Sequence, residues 1–314
     1  KTYVKKENII VYDEHYIHTW PKHPYDYLVK IIKDKKWDKL SIGLEMDAHY
    51  FTAFCYEKIK QGLPNAKIKD SERLVNWARL VKSNTEIDYM KSAAKISEIG
   101  MKTAFDVIKP GVRQCDAVGE IQKALFYGTP EFGGEYSSIA TLLPTGKGTS
   151  ASHLTATQDK FVEGEATIIE LSGVYKRYHA PMARTVLLGK PDQLKIDTMK
   201  KTIEALQAGI DATKPGNKVD DVAQAFWKVL DKYGIEKKSR TGYSIGIGYP
   251  PDWGEHTLNI YKGDMTPLEP NVCFHMIAVM QFGDWGVEAS EAIRVTEKGA
   301  ELFCNMPKEL HVKS

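Results

Sequence analysis

The sequence predicts an α+β protein in two parts: a smaller α/β unit over residues 1–82, and a larger domain over 83–314 made of two duplicated α+β halves about a pseudo-two-fold. Three observations predict it. Pro110-Gly111 is followed by Asp116, an apolar helical stretch and Tyr127-Gly128; further on, Pro215-Gly216 is followed by Asp221, another apolar helical stretch and Tyr233-Gly234. Two copies at so long a period suit a duplicated half-domain rather than a solenoid, with a site in the cleft between the halves. Between and after these helices, segments rich in branched residues read as strands.

The elements follow in order. In the first unit the sequence predicts a strand near Asn8–Tyr12, a helix near Tyr25–Lys33 and a strand at Leu40–Leu44. Ser83 and Glu86 form a capping box, the serine oxygen serving the N3 amide and the glutamate reaching back to the cap. An amphipathic helix then carries Ile87, Met90, Ala94, Ile96 and Ile99. Lys109-Pro110-Gly111 ends it, because proline cannot continue the ladder and glycine accepts unusual dihedrals. Strands are expected at 137–143, 166–173, 175–188, 244–248, 271–280 and 286–295.

Bulk composition narrows the function classes. With 314 residues, 27% charged, 42% hydrophobic and a net charge of +2, the chain has no electrostatic reason to bind nucleic acid or a membrane surface. No run approaches the roughly 18 apolar residues of a spanning helix, and no signal peptide opens the chain. Cys55, Cys115, Cys273 and Cys304 are spread without a CxxC pair, as in reduced cytoplasmic proteins. Gly146-Lys147-Gly148-Thr149-Ser150 is glycine-rich and basic, yet no glycine stands five residues before Gly146-Lys147, so it fails the phosphate-loop spacing.

The run from Thr167 to Val186, with Gly242-Tyr243 and the strands after it, resembles the central framework of the creatinase/prolidase/aminopeptidase P family, the pita-bread enzymes. The resemblance implies a pita-bread catalytic domain whose halves fold around a curved antiparallel sheet, behind a creatinase-like N-terminal domain. That domain is longer in the family, so the chain is expected to begin part-way through it. In dinuclear members the framework supplies two aspartates, a histidine and two glutamates to metal. Here those positions read Glu170, Pro181, Tyr243, Ile277 and Ser290. A divalent metal needs several converging N/O ligands, so the expectation is a site with no metal and no cofactor.

The candidate residues are taken in turn. His153 follows a predicted strand; the resemblance implies that it lies over the site and handles a proton, as suits an imidazole, and the alternative is a histidine satisfied in a polar loop. Glu170, flanked by Ile168, Ile169 and Leu171, is costly on a central strand unless functional or paired. It is read as nucleophile, base or counter-ion, against structural pairing with Arg177 or Arg184. His179 adjoins the lost aspartate position and is a third catalytic candidate, although strand alternation lets either it or Tyr178 face inward, not both. Tyr243 offers a phenol where an imidazole would hold metal. Asp252, Trp253 and Glu255 follow Pro250-Pro251 on what reads as a rigid turn, suited to a flat cation. His275, Trp285 and Glu291 complete the substrate-binding candidates, with Gly146 allowing close backbone approach. Glu291 stands one residue past a ligand position, which reverses its side of the strand. Glu288 and Glu291 share no face, so only one of them points inward.

A tighter resemblance rests on Leu143 to Ser150 with His153, on Arg177 to Pro181 with Arg184-Thr185, on Gly242 to Glu255, and on Tyr12 to Tyr16 with His23-Pro24. These segments resemble the ectoine hydrolase branch of the family. The branch opens a cyclic amidine, the tetrahydropyrimidine ring of ectoine or hydroxyectoine, to an acetylated diaminobutyrate. The resemblance implies Glu170 as nucleophile or base, His153 as proton shuttle, and Tyr243, Asp252 and Glu255 orienting the amidinium. Backbone amides near Gly146–Gly148 would hold the substrate carboxylate, and a homodimer is implied. Alternatives are a creatinase-like amidinohydrolase, an Xaa-Pro metallopeptidase disfavoured by the lost ligands, and a pita-bread binding module without catalysis.

Overall fold

The computed structural model describes residues 4–190 and 192–313. The chain divides into two compact units, Lys1–Trp77 and Ala78–Ser314, a boundary slightly ahead of the one read from the sequence. No helix among the described residues is long and apolar enough to cross a membrane.

The first unit contains α1 (Pro24–Asp34), β1 (Ser41–Leu44), α2 (Ala53–Gly62) and β2 (Lys67–Asp70), followed by the short α3 (Leu74–Ala78). β1 and β2 pair in parallel, and Val29, Ile32, Ile59 and Leu63 form its core. The strand expected near Asn8–Tyr12 does not form. Those residues are exposed and have no ladder partner among the described residues, and β-branched composition without a neighbour makes no strand.

In the second unit α4 (Asn84–Val107) starts at the expected capping box: Ser83 Oγ accepts from the Glu86 amide at 3.3 Å and the Ser83 amide donates to Glu86 Oε2 at 2.8 Å. After α5 (Gln114–Tyr127) come the fully buried hairpin β3 (Ala166–Tyr175) and β4 (Tyr178–Leu188). The second half repeats the plan with α6 (Gln193–Ala212), α7 (Val219–Lys232), β5 (Gly242–Tyr249), β6 (Asp252–Asn259), β7 (Cys273–Phe282), β8 (Trp285–Thr296), β9 (Gly299–Leu302) and β10 (His311–Lys313). Matching glycines adopt matching dihedrals: φ is +84° at Gly111 and +86° at Gly216, then +63° at Gly128 and +62° at Gly234. Each needs the left-handed region at the same point of its half, which is the physical content of the echo.

One sheet of eight strands joins the halves in the order β10-β4-β5-β7-β8-β9, with β3 added on β4, β6 on β5, and β4 also touching β8. Two cores flank it. Ile87, Met90, Ile96, Ile121 and Leu125 from α4 and α5 pack with Ile169, Leu171 and Met182, whereas Leu206, Val222, Phe226 and Leu230 from α6 and α7 pack with Phe274, Met276 and Ile293. α4 also grips the central hairpin through polar groups. Ser97 Oγ donates to the Ala180 carbonyl at 2.6 Å and accepts from the Gly173 amide at 2.7 Å. A Cβ at Gly173 would stand 2.3 Å from the Ala93 carbonyl oxygen, so only glycine permits this approach.

Two strand expectations change. Residues 137–143 form no strand; Leu142 makes isolated bridges to Thr155 and Glu170, and Pro144 cannot donate to extend the ladder. Residues 252–255 are not a turn but the start of β6, folded back on β5 with register shifts. Only Pro250-Pro251 turns.

Candidate active site

The sheet register explains which side chains converge. Glu170 pairs with Ala183, Ala183 with Ser290, and Ser290 with Ile277. Directly paired residues point to the same face, so this row crosses the sheet on one side. On β8, Glu288 lies two residues from Ser290 and shares its face, while Glu291 turns to the other. Glu170, Glu288, Tyr243, His153 and Arg240 line one cavity of about 160 Å³, closed on its apolar side by Leu142, Ile168, Ile277 and Val279.

The two carboxylates are the centre of this cavity. Both are buried, and neither side chain makes a hydrogen bond with any described residue; His275 Nδ1 stands 4.0 Å from Glu170 Oε1. Arg177 and Arg184 are spent elsewhere, Arg177 on the Gly248 and Tyr136 carbonyls and Arg184 on Glu291, so Glu170 is not structural glue. Burial, with the charges of Glu288 and Asp252, holds the Glu170 carboxyl well above its ordinary range. Burial pushes Glu288 up to about 7, opposed by the Lys237 ammonium. Two interacting carboxyls of this kind titrate as a unit, and burial pushes both towards the protonated form.

Tyr243 forms the polar floor, with Trp253 and His275 behind it. The Trp253 indole donates to the Tyr243 hydroxyl at 2.8 Å, and His275 Nδ1 lies 3.3 Å from that oxygen. His275 Nε2 is 2.7 Å from Ser290 Oγ. Burial pulls His275 down to about 3, so its ring is neutral, donating with one nitrogen and accepting with the other. Burial and the charge of Glu170 push the Tyr243 phenol well above its usual value, so it stays protonated. His153 stands at the mouth with φ +64°, in a loop tied to β7 and β8 by Gln281 Nε2 to Ser152 Oγ (3.2 Å) and the Gly286 amide to Thr149 Oγ1 (2.9 Å).

Other candidates lie outside the cavity lining. Glu291, expected to bind substrate, faces Arg184 at 2.6 Å with both side chains fully buried, because strand parity turns it away. Glu255 pairs with Lys82 at 2.6 Å. His179 has both nitrogens engaged by backbone, Nε2 with the Ser138 amide and Nδ1 with the Arg177 carbonyl, and burial pulls it down to about 3. Trp253 and His275 act from behind Tyr243 rather than on the cavity surface. Trp285 stacks on Phe282 at 4.5 Å, at the end of the β7–β8 hairpin. Gly146 opens a short 3-10 turn whose Gly148 amide already donates to the Thr145 carbonyl, so that amide is not spare for a substrate carboxylate. Asp252 acts at a distance through its charge on Glu170. Burial opposes its ionisation, but His256 and the Gly254 amide outweigh this and hold its carboxyl below the ordinary value.

Arg240 was absent from the sequence-derived set, and Glu288 entered it only as the alternative to Glu291. Parity could have found Glu288, since it shares a face with Ser290. No sequence signal marked Arg240.

The donor set does not fit the family's dinuclear metal centre. At the five positions that the resemblance assigns to the ligands, only Glu170 is an anionic donor, and Pro181 and Ile277 offer no donor at all. Among the described residues of Ala78–Ser314, no three His, Cys, Asp or Glu ligand atoms lie within 4.8 Å of one another.

The sequence pattern of metallopeptidase family M24 matches residues 88–297, and that of the creatinase/prolidase N-terminal domain matches residues 1–81. An ectoine hydrolase from Halomonas elongata is 42% identical over 314 residues, covering 98% of this chain and 79% of that protein. An Xaa-Pro dipeptidase from Pyrococcus furiosus is 20% identical, covering 89% and 80%. An X-Pro aminopeptidase structure from Thermotoga maritima superposes with a TM-score of 0.80 at 21% identity, covering 92% of this chain and 78% of that one. The pita-bread fold is thereby shared. The chain belongs to metallopeptidase family M24, the creatinase/prolidase family, and is a hydrolase acting on C–N bonds.

Proposed function

We propose that this chain opens the cyclic amidine ring of ectoine or hydroxyectoine, giving an N-acetylated diaminobutyrate, without a metal. One observation carries the reading: two buried carboxyls, Glu170 and Glu288, face one small cavity, and neither accepts a hydrogen bond from any described residue. Buried polar groups without partners are costly and rare. An amidinium supplies what they lack, a planar cation with N–H groups to donate. The 42% identity to an ectoine hydrolase supports the same substrate class.

The chemistry follows from the dyad. The amidinium carbon is already electrophilic, so it needs no Lewis acid for activation. Glu170 acts as nucleophile or as base for the attacking water. The water oxygen ends on the amidine carbon, the bond to one ring nitrogen breaks, and the carbon with its remaining nitrogen becomes the acetamide. Both protons of the water, passed through the carboxyl pair with His153 as shuttle, end on the departing nitrogen, which leaves as an ammonium. The protonated Tyr243 phenol, fixed by Trp253, orients the ring.

The test is to incubate EDTA-treated protein with ectoine and follow ring opening by NMR. Turnover is expected, and Glu170→Gln should lower kcat by at least about 100-fold while the fold is kept. A folded Glu170→Gln variant that retains a tenth of the activity removes Glu170 from the mechanism. Turnover of creatine in place of ectoine would shift the reading to an amidinohydrolase, since the same carboxyl pair suits a guanidinium.

A further inference from the structure

Six of the chain's seven arginines hydrogen-bond a carboxylate or carbonyl of the protein: Arg73 to Asp47, Arg79 to Glu86, Arg113 to Asp116, Arg177 to Gly248, Arg184 to Glu291 and Arg294 to Glu301. Arg240 has no hydrogen bond or ion pair with any described residue. Its guanidinium lies over the face of Tyr243, 4.5 Å from the ring centroid, and lines the cavity that Glu170 and Glu288 share. Cation–π contact holds the group without using its N–H donors. The cavity is therefore dipolar, with two carboxyls in its depth and an unspent guanidinium fork at its rim.

We propose that Arg240 anchors a carboxylate on the substrate ring and so makes the enzyme selective for zwitterionic cyclic amidines. The inference rests on the amidine-opening reading above. A bare amidinium needs only the carboxyl pair. A substrate that also carries a carboxylate would be repelled by that pair unless a cation met its far end. The guanidinium matches a carboxylate bidentately, in a geometry that lysine does not reproduce. Of the backbone amides near Gly146–Gly148 first expected to do this, that of Gly148 already donates to Thr145. Arg240 is a solvent-exposed residue held by one ring, so replacing it leaves the buried sheet undisturbed.

The experiment measures kcat/KM of the wild type, Arg240→Gln and Arg240→Lys with two substrates. One is ectoine; the other is 2-methyl-1,4,5,6-tetrahydropyrimidine, the same ring without the carboxylate. Arg240→Gln should lose about 100-fold on ectoine, mostly through KM, and less than about threefold on the carboxylate-free ring. Arg240→Lys should recover part of the loss. An equal loss on both rings would overturn the anchor. So would an Arg240→Gln variant within about threefold of wild type on ectoine. Both of these failures leave the amidine-opening reading standing. A wild type that opens neither ring overturns that reading, and the anchor with it.

Discussion

The indole nitrogen of Trp253 donates to the hydroxyl of Tyr243 at 2.8 Å, and this bond fixes the phenol that lines the cavity of Glu170 and Glu288. Trp253 is fully buried and reaches Tyr243 from the neighbouring strand β6, which the β5–β6 fold-back brings alongside β5. Trp253→Phe deletes one hydrogen bond and leaves a cavity where the larger, fully buried indole packed. It should cost about 2 kcal/mol of stability and raise KM for the amidine. Thermal melts with steady-state kinetics would check it; an unchanged KM would confine Trp253 to a structural role.

Glu288 gives a prediction in pH. Its carboxyl moves from the ordinary 4.5 to about 7 on folding, chiefly through burial. Below 4.5 both states keep the proton. Between 4.5 and about 7 the unfolded chain releases it while the folded chain holds it, so stability falls as pH rises and the deficit is complete above about 7. Glu288→Gln removes that deficit. The variant should melt higher than wild type at pH 8, show no such gain at pH 4, and lose activity at both. A gain independent of pH would contradict the titration.

Glu291 separates structure from chemistry. It meets Arg184 at 2.6 Å in full burial, and Arg184 also donates to the carbonyls of Ala183, Ser290, Met306 and Pro307. Glu291→Ala leaves a buried guanidinium without its counter-charge and should cost about 3 kcal/mol. Activity per folded molecule should stay close to wild type. Urea unfolding paired with active-site-normalised rates would show it, and a stable but inactive variant would return Glu291 to the site.

Metal gives the fourth prediction. With Pro181, Ile277 and Ser290 at ligand positions, adding zinc or manganese should neither raise the melting temperature nor increase turnover of EDTA-treated protein. A ligand present at 100-fold its dissociation constant would add about 2.7 kcal/mol, well within reach of a thermal shift assay. A clear upward shift would defeat the metal-free reading.

The sequence by itself determined the duplicated α+β domain and the start and stop of its first helix. These depend on local chemistry: a capping serine, Pro-Gly turns and left-handed glycines. It also singled out Glu170, His153 and Tyr243, three residues that the cavity brings together. The tertiary structure decided which remaining polar groups face the cavity and which are engaged elsewhere. Glu288 and Glu291 look alike in sequence, but strand parity sends one to the cavity and the other to Arg184. His179 and Glu255 looked equally functional until backbone groups and Lys82 were seen to occupy them. Arg240 was invisible because its significance is the absence of a partner, and only packing in three dimensions determines which charges pair and which are left for a substrate.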